Sequence, residues 1–215
     1  MAKLKNNQIA IIGGGFSGLS LADFLVDQGL EVTIFEKENF LGGLAGGFKK
    51  KGWDWSADFF YHHLFSKDKA ILRWLDGFGL KERVKFSQPK TSVLSEGSIF
   101  PFGTPKEILS FPHLSYISRL RFGFGSFLLK LSPWLSWMDR VTAAEWLPKI
   151  IGAEGFATIW KPLLLTKFSQ DYWEKISLSW FWARVKSRTF KLGYPDGGFF
   201  QLAQDIGEKI KKKGV

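Results

Sequence analysis

Along this chain the apolar positions switch between a strand period and a helix period, and each switch marks an element. Gln8–Ile12 is a short β-branched run that stops on Gly13, Gly14 and Gly15, the pattern of a buried parallel strand ending in a tight turn. Leu19, Ala22, Leu25 and Val26 then recur at helical spacing up to Gly29, a good left-handed stop. Residues 30–35 return to strand pattern with Glu36 at their end. Residues 69–78 predict a short amphipathic helix closed by Gly79, and residues 84–105 a small antiparallel unit, with strands at 93–94 and 99–100 around Glu96 and Gly97.

The most apolar region is 108–138, where Arg119, Arg121 and Lys130 keep any uncharged run below the roughly eighteen residues of a spanning helix. Two readings stand: buried helices, or one helix dipping into a membrane surface. Burial is preferred, because Gly123 and Gly125 weaken a continuous surface helix. Thr142 and Glu145 form a capping-box pair opening a helix that passes Pro148 and ends at Gly152. Pro195, Asp196, Gly197 and Gly198 read as a turn, and Phe199, Leu202, Ala203, Ile206 and Ile210 as one helical stripe with Gly214 as cap. The pattern breaks off at Val215, so the expectation is an N-terminal fragment or split gene product completed by a separate chain.

Chemistry enters at the first turn. Gly13, Gly15 and Gly18 make G-x-G-x-x-G between a strand and a helix. Gly13 permits the tight turn, Gly15 removes a Cβ that would block a pyrophosphate, and Gly18 lets the helix lie close to the sheet. The amides of Phe16 and Ser17, at the positive end of the helix dipole, would then hold a diphosphate without a lysine. Glu36, about twenty residues on, can accept hydrogen bonds from both ribose hydroxyls and would repel the 2′-phosphate of NADP. A second cluster, Gly42 and Gly43 with Ala45, Gly46 and Gly47, lets another stretch of backbone approach the same diphosphate, which points to FAD rather than a simple nicotinamide site.

With the glycine turn, the acid and then Gly-Gly in this order, the chain resembles the flavin-dependent amine oxidase, phytoene desaturase and protoporphyrinogen oxidase superfamily. The resemblance implies an α/β fold: a Rossmann-like FAD-binding βαβ unit over 1–85, an inserted and mostly helical substrate-domain portion over 86–192, and a return helix over 193–215. It implies FAD contacts from Gly13, Gly15, Phe16, Ser17, Gly18, Glu36, Lys37, Gly42, Gly43, Leu44 and Ala45. Leu44 departs from the Arg or Lys that often follows Gly-Gly in that family. Gly193 to Phe199 resembles its P-x-G-G return element, and the segment around His62 and His63 its aromatic-His-His segment, which makes His63 a site-lining residue there. The function implied is dehydrogenation or desaturation of a small organic or lipid-like substrate, with no catalytic side chain named. Two alternatives stay open: redox-neutral flavin chemistry as in UDP-galactopyranose mutase, and a non-catalytic chain that binds adenine dinucleotide or nothing.

Composition narrows the classes. With 45% hydrophobic and 23% charged residues the chain is globular, and with no cysteine it has no disulfide, thiolate metal site or cysteinyl flavin link. A reducing, cytoplasmic setting fits, with peripheral membrane contact left open. The net charge of +10 raises nucleic acid as a partner, but the lysines are dispersed and no nucleic-acid-binding motif accompanies them. The clusters at 49–51 and 211–213 read as solvated basic surface. Residues 1–7 are basic and too short for a signal peptide or a span. Adjacent His62 and His63 diverge on any regular element, so no metal site is expected. Lys161, Lys167, Arg184, Lys186 and Arg188 read as surface charge, or as contacts to an acidic substrate.

Overall fold

The computed structural model describes residues 7–215, so the basic leader read over residues 1–7 lies outside the described residues but for Asn7. The chain divides into two compact units, one of residues up to 88 together with 191–215, the other of 89–190.

The first unit opens with β1 (Gln8–Ile12), α1 (Phe16–Val26) and β2 (Glu31–Phe35). The strands are parallel, with Gln8 opposite Glu31 and Ile12 opposite Phe35, which makes this a βαβ unit. Gly29, at φ 78°, lets the chain leave α1. Ile11, Leu19, Ala22 and Val32 join one core. β1 is less buried than its composition predicts: Ile12 is 83% exposed, because it lies on the opposite side of the strand from Ile11 and no described layer covers it.

Short strands follow, β3 (Gly47–Phe48) paired antiparallel with β4 (Ala57–Asp58), then β5 (Leu64–Phe65), α2 (Lys69–Gly77) and β6 (Val84–Ser87). The chain re-enters this unit as β9 (Leu192–Pro195), which sits between β5 and β6 in an antiparallel sheet. This corrects only the start of the antiparallel unit expected over 84–105, since the strands expected at 93–94 and 99–100 do pair as a hairpin. Val84 pairs with Pro195, so β6 belongs to a long-range sheet that local alternation could not reveal.

The last helix, α9 (Gly198–Lys211), buries Phe199, Leu202, Ala203, Ile206 and Ile210. Its start is pinned from β4 and β9. Tyr194 Oη donates to Asp58 Oδ2 at 2.6 Å, and Asp58 Oδ1 accepts the Phe200 amide at 3.4 Å. Burial first, and the Asp58 carboxylate second, push the Tyr194 phenol above its ordinary pKa. Tyr194→Phe removes the donor from Asp58 and is expected to cost about 1–2 kcal/mol, checked by urea unfolding. At the other end Lys213 donates to Asp23 at 2.7 Å and Asp27 at 2.9 Å, and the Trp74 indole N–H also reaches Asp23, at 2.7 Å. The hydrogen bond to Asp23 is the main reason the Lys213 ammonium is held above its usual pKa. The cluster at 211–213 is therefore not wholly solvated surface, since its last lysine ties α9 to α1.

The second unit has one hairpin, β7 (Ser92–Ser95) with β8 (Ser98–Pro101), turning through Glu96 and Gly97. Helices follow: α3 (Pro105–Leu109), α4 (Tyr116–Leu131), α5 (Ala143–Ile151), α6 (Ala153–Gly155), α7 (Lys161–Tyr172) and α8 (Leu178–Ser187). The Thr142 hydroxyl accepts the Glu145 amide at the start of α5, and Gly152 ends that helix at φ 92°. α4 runs unbroken through Gly123 and Gly125, against expectation. A Cβ on Gly125 would stand 2.6 Å from the Ile150 carbonyl, so this glycine serves close packing on α5 rather than flexibility. Lys130 donates to the Val185, Lys186 and Arg188 carbonyls at the end of α8. Lys161, Lys167 and Arg184 lie over the rings of Trp173, Phe168 and Trp180.

Candidate dinucleotide-binding site

The site begins where β1 runs out. Gly13 adopts φ 102°, and its amide donates to the Phe35 carbonyl at 2.8 Å, tying the turn to the end of β2. A Cβ on Gly18 would run into the Gly13 carbonyl, so α1 can start this close to the strand only with glycine there. The helix N-cap is Gly15, which has no side chain to turn back on the first turn. The amides of Phe16, Ser17 and Gly18 have no acceptor within the helix and lie at its positive end.

The second glycine turn is laid directly against the first. The Gly42 amide donates to the Gly14 carbonyl at 2.9 Å, and Gly15 and Gly42 form a parallel bridge. Gly42 and Gly43 have φ 116° and 58°, and a Cβ on Gly43 would lie 3.3 Å from the Gly15 Cα. Backbone thus faces backbone across this junction. Ala45 is buried, and its amide donates to the Gly42 carbonyl at 3.0 Å. Leu44 is exposed, and Lys37 reaches Glu38 at 3.5 Å with most of its side chain in solvent.

Glu36 is held against the first turn and the loop that follows β2. Its Oε2 accepts the Gly14 amide at 2.6 Å and its Oε1 the Glu38 amide at 3.0 Å. These amides, Glu38 first and Gly14 second, hold the carboxyl below the usual carboxylate range, so it is ionised at neutral pH. A carboxylate offers about four acceptor positions, so about two remain for other donors. The glycine-lined junction, the amide-rich helix start and this charged acceptor fit an adenosine diphosphate group.

One supporting residue had no signal in the local sequence. Gln204 in α9 brackets Leu41, its Oε1 accepting the Leu41 amide at 3.1 Å and its Nε2 donating to the Leu41 carbonyl at 2.8 Å. The last helix thereby fixes the residue before Gly42, which a spacing of 163 positions hides from any pattern search. Of the paired histidines, the His62 Nδ1 lies 2.7 Å from the Phe60 carbonyl, while the His63 ring packs edge-on to Phe65. Phe59, Phe60 and Tyr61 in the same segment are exposed.

Residues 11–78 match the model of an NAD(P)-binding Rossmann-like domain family. The chain is 24% identical over 157 residues to the 15-cis-phytoene desaturase of Synechococcus elongatus, covering 66% of this chain and 33% of that protein. It is 30% identical over 132 residues to protoporphyrinogen oxidase 2 of Arabidopsis thaliana, covering 59% and 25%. The solved structure of cyclohexylamine oxidase from Brevibacterium oxydans superimposes with a TM-score of 0.70 at 19% identity, over 97% of this chain and 50% of that one. The chain thus spans a quarter to a third of these curated relatives and half of the solved chain. The junction of two glycine turns, the acid that closes β2 and these likenesses agree: residues 11–78 carry an NAD(P)-binding Rossmann-like domain, and over part of its length the chain is similar to flavin-containing amine oxidases, protoporphyrinogen oxidases and phytoene desaturases.

Proposed function

We propose that this chain holds FAD, with the diphosphate at the junction of the two glycine turns and the adenosine ribose at Glu36. The activity it serves is dehydrogenation or desaturation of a small organic or lipid-like substrate. The observation that carries the cofactor reading is the hydrogen bond from the Gly42 amide to the Gly14 carbonyl, which sets two glycine turns face to face beside an ionised acid. Support for the reaction class comes from relatives and neighbours named as a desaturase and as oxidases. When bound, the flavin takes up the hydride equivalent. The residues described here bind and orient: helix-start amides on the diphosphate, Glu36 on the ribose, and Gln204 holding the second turn in place. The exposure of Ile12 and Phe35 on β1 and β2 supports a further covering layer from additional polypeptide, and we take the complete enzyme to include one.

Glu36→Ala tests the reading. Its expected effect is at least a tenfold rise in the Kd for FAD and for ADP, about 1.4 kcal/mol or more, by titration calorimetry. Equal affinities for variant and parent, or a parent that takes NAD and refuses FAD, would overturn the assignment. The pH dependence has a definite sign. Glu36 has a lowered folded pKa, so its stabilising contribution is complete above the unfolded value of about 4.3 and is lost as pH falls through the folded one. Binding is accordingly expected to be level with respect to this group from neutral pH down to about 5.

A further inference from the structure

Among the described residues three buried side-chain nitrogens find no acceptor in the chain, and all three are indole N–H groups of the helical unit: Trp146 on α5, and Trp160 and Trp173 at the two ends of α7. A buried donor without an acceptor forfeits its hydration, so native interiors hold few. The same stretch carries the single π turn among the described residues, Phe156–Trp160. Pro162 gives its local cause. Proline has no N–H to return to the preceding turn, and its ring crowds the carbonyl four residues back, which widens the helix ahead of it. Seven residues further on, α7 breaks at Ser169, with φ 62° and ψ 172°, a region that glycine alone enters freely. The other non-glycine residue at positive φ among those described, Glu96, sits in a two-residue hairpin turn that requires it. Ser169 meets no such requirement, since a left-handed helix end has ψ of about 47°.

Packing holds this stretch in place against those costs. Phe156, Ile159, Leu164 and Trp173 belong to the core of the helical unit, and Trp160 meets Phe181 of α8 edge-on with ring centroids 4.7 Å apart. The orphan donors, the widened turn and Ser169 all favour leaving that arrangement, so a second state lies close in energy. The ground beneath is firmer. The starts of α5 and α8 are tied to each other, with the Ala143 amide donating to the Ile176 carbonyl at 2.7 Å and the Leu178 amide to the Val141 carbonyl at 2.9 Å. Both helices also begin on side-chain caps, Thr142 and Ser177. Movement of 156–173 away from this frame gives Trp160 and Trp173 access to acceptors, lets Ser169 relax to an ordinary φ, and uncovers Leu147, Ile151 and Phe181.

We infer that residues 156–173 open as one segment on the frame of α5 and α8, and that the opened state is a binding site for an apolar molecule bearing an anionic oxygen group. The uncovered core supplies apolar walls, and the indole N–H groups supply the few donors that orient such a ligand. Lys161 selects the charge. It is exposed and lies over the Trp173 ring, 5.4 Å from the centroid, so one carboxylate or sulfonate can take both the indole proton and the ammonium. The site lies wholly within residues 89–190 and needs no cofactor.

The test uses the full chain with anilinonaphthalene sulfonate, an apolar dye carrying an anionic oxygen group. In the free chain, amide hydrogen exchange is expected to be at least about tenfold faster over 156–173 than over α5 and α8, and to slow over 156–173 when the dye binds. S169G relieves the closed state alone, so it is expected to raise the melting temperature by about 2–6 °C and to weaken dye binding about tenfold, because fewer molecules are open. P162A restores the missing N–H and is expected to act in the same direction. The inference fails if 156–173 is as well protected as α5 and α8, or if S169G leaves the melting temperature unchanged or lowers it. It fails equally if the dye does not bind, if it binds S169G as tightly as the parent, or if the amides it protects are those of α4 instead of 156–173.

Discussion

Gly15→Ala is expected to leave the fold intact while weakening dinucleotide binding at least tenfold, whereas Gly18→Ala is expected to damage the fold itself. The two glycines belong to one motif but face different constraints. A Cβ on Gly15 finds its nearest described neighbours, Gly42 O and Gly43 Cα, at 3.8 Å, an ordinary contact, and Gly15 has φ −72°, open to any residue. Loss of a good N-cap residue and relief of unfolded-chain entropy nearly cancel there, leaving a stability change within about 1 kcal/mol. That methyl would nevertheless stand between the two turns, where the diphosphate is proposed to lie. At Gly18 the added carbon meets the Gly13 carbonyl, a backbone atom that cannot swing aside. A cost of about 1–3 kcal/mol is expected, partly offset by alanine's better helix propensity. Paired measurement of the melting temperature and of FAD affinity separates the two outcomes. A Gly15→Ala protein that binds FAD like the parent would remove the diphosphate from this junction.

Ile206→Ala is expected to lower stability by about 2–5 kcal/mol, a shift in melting temperature on the order of 10 °C. Ile206 is wholly buried in α9, beside Leu202 and Ala203, and joins the core shared with Leu19 and Ala22 of α1. The loss should reach the binding site, because α9 carries Gln204, whose side chain brackets Leu41 just before the second glycine turn. FAD affinity measured well below the melting temperature should therefore fall together with stability. Intact affinity in a clearly destabilised variant would show that the second turn holds its shape without α9.

Much of the site was legible because its signals are local. Gly13, Gly15 and Gly18 are spaced by the geometry of one turn and one helix start, the stripe of α9 by the helical repeat, and the Thr142 cap by the first turn of α5. Each constraint acts over a few residues and so leaves a short-range pattern. The pairing of β6 with β9, the Gln204 bracket on Leu41, and the meeting of Asp23 with Trp74 and Lys213 left none, because they join positions far apart in the chain. α4 shows the difference within one element. Its apolar residues announce a helix, yet whether its glycines break it and which side is covered depends on the backbone of α5 lying against Gly125. Sequence alone thus determined the glycine turn between β1 and α1, the acid at the end of β2 and the helical periods, since those follow from backbone geometry over one or two turns. Tertiary structure decided which strands pair, which charges are spent inside, and which apolar face is left outward, since those depend on surfaces brought together only when the whole chain folds.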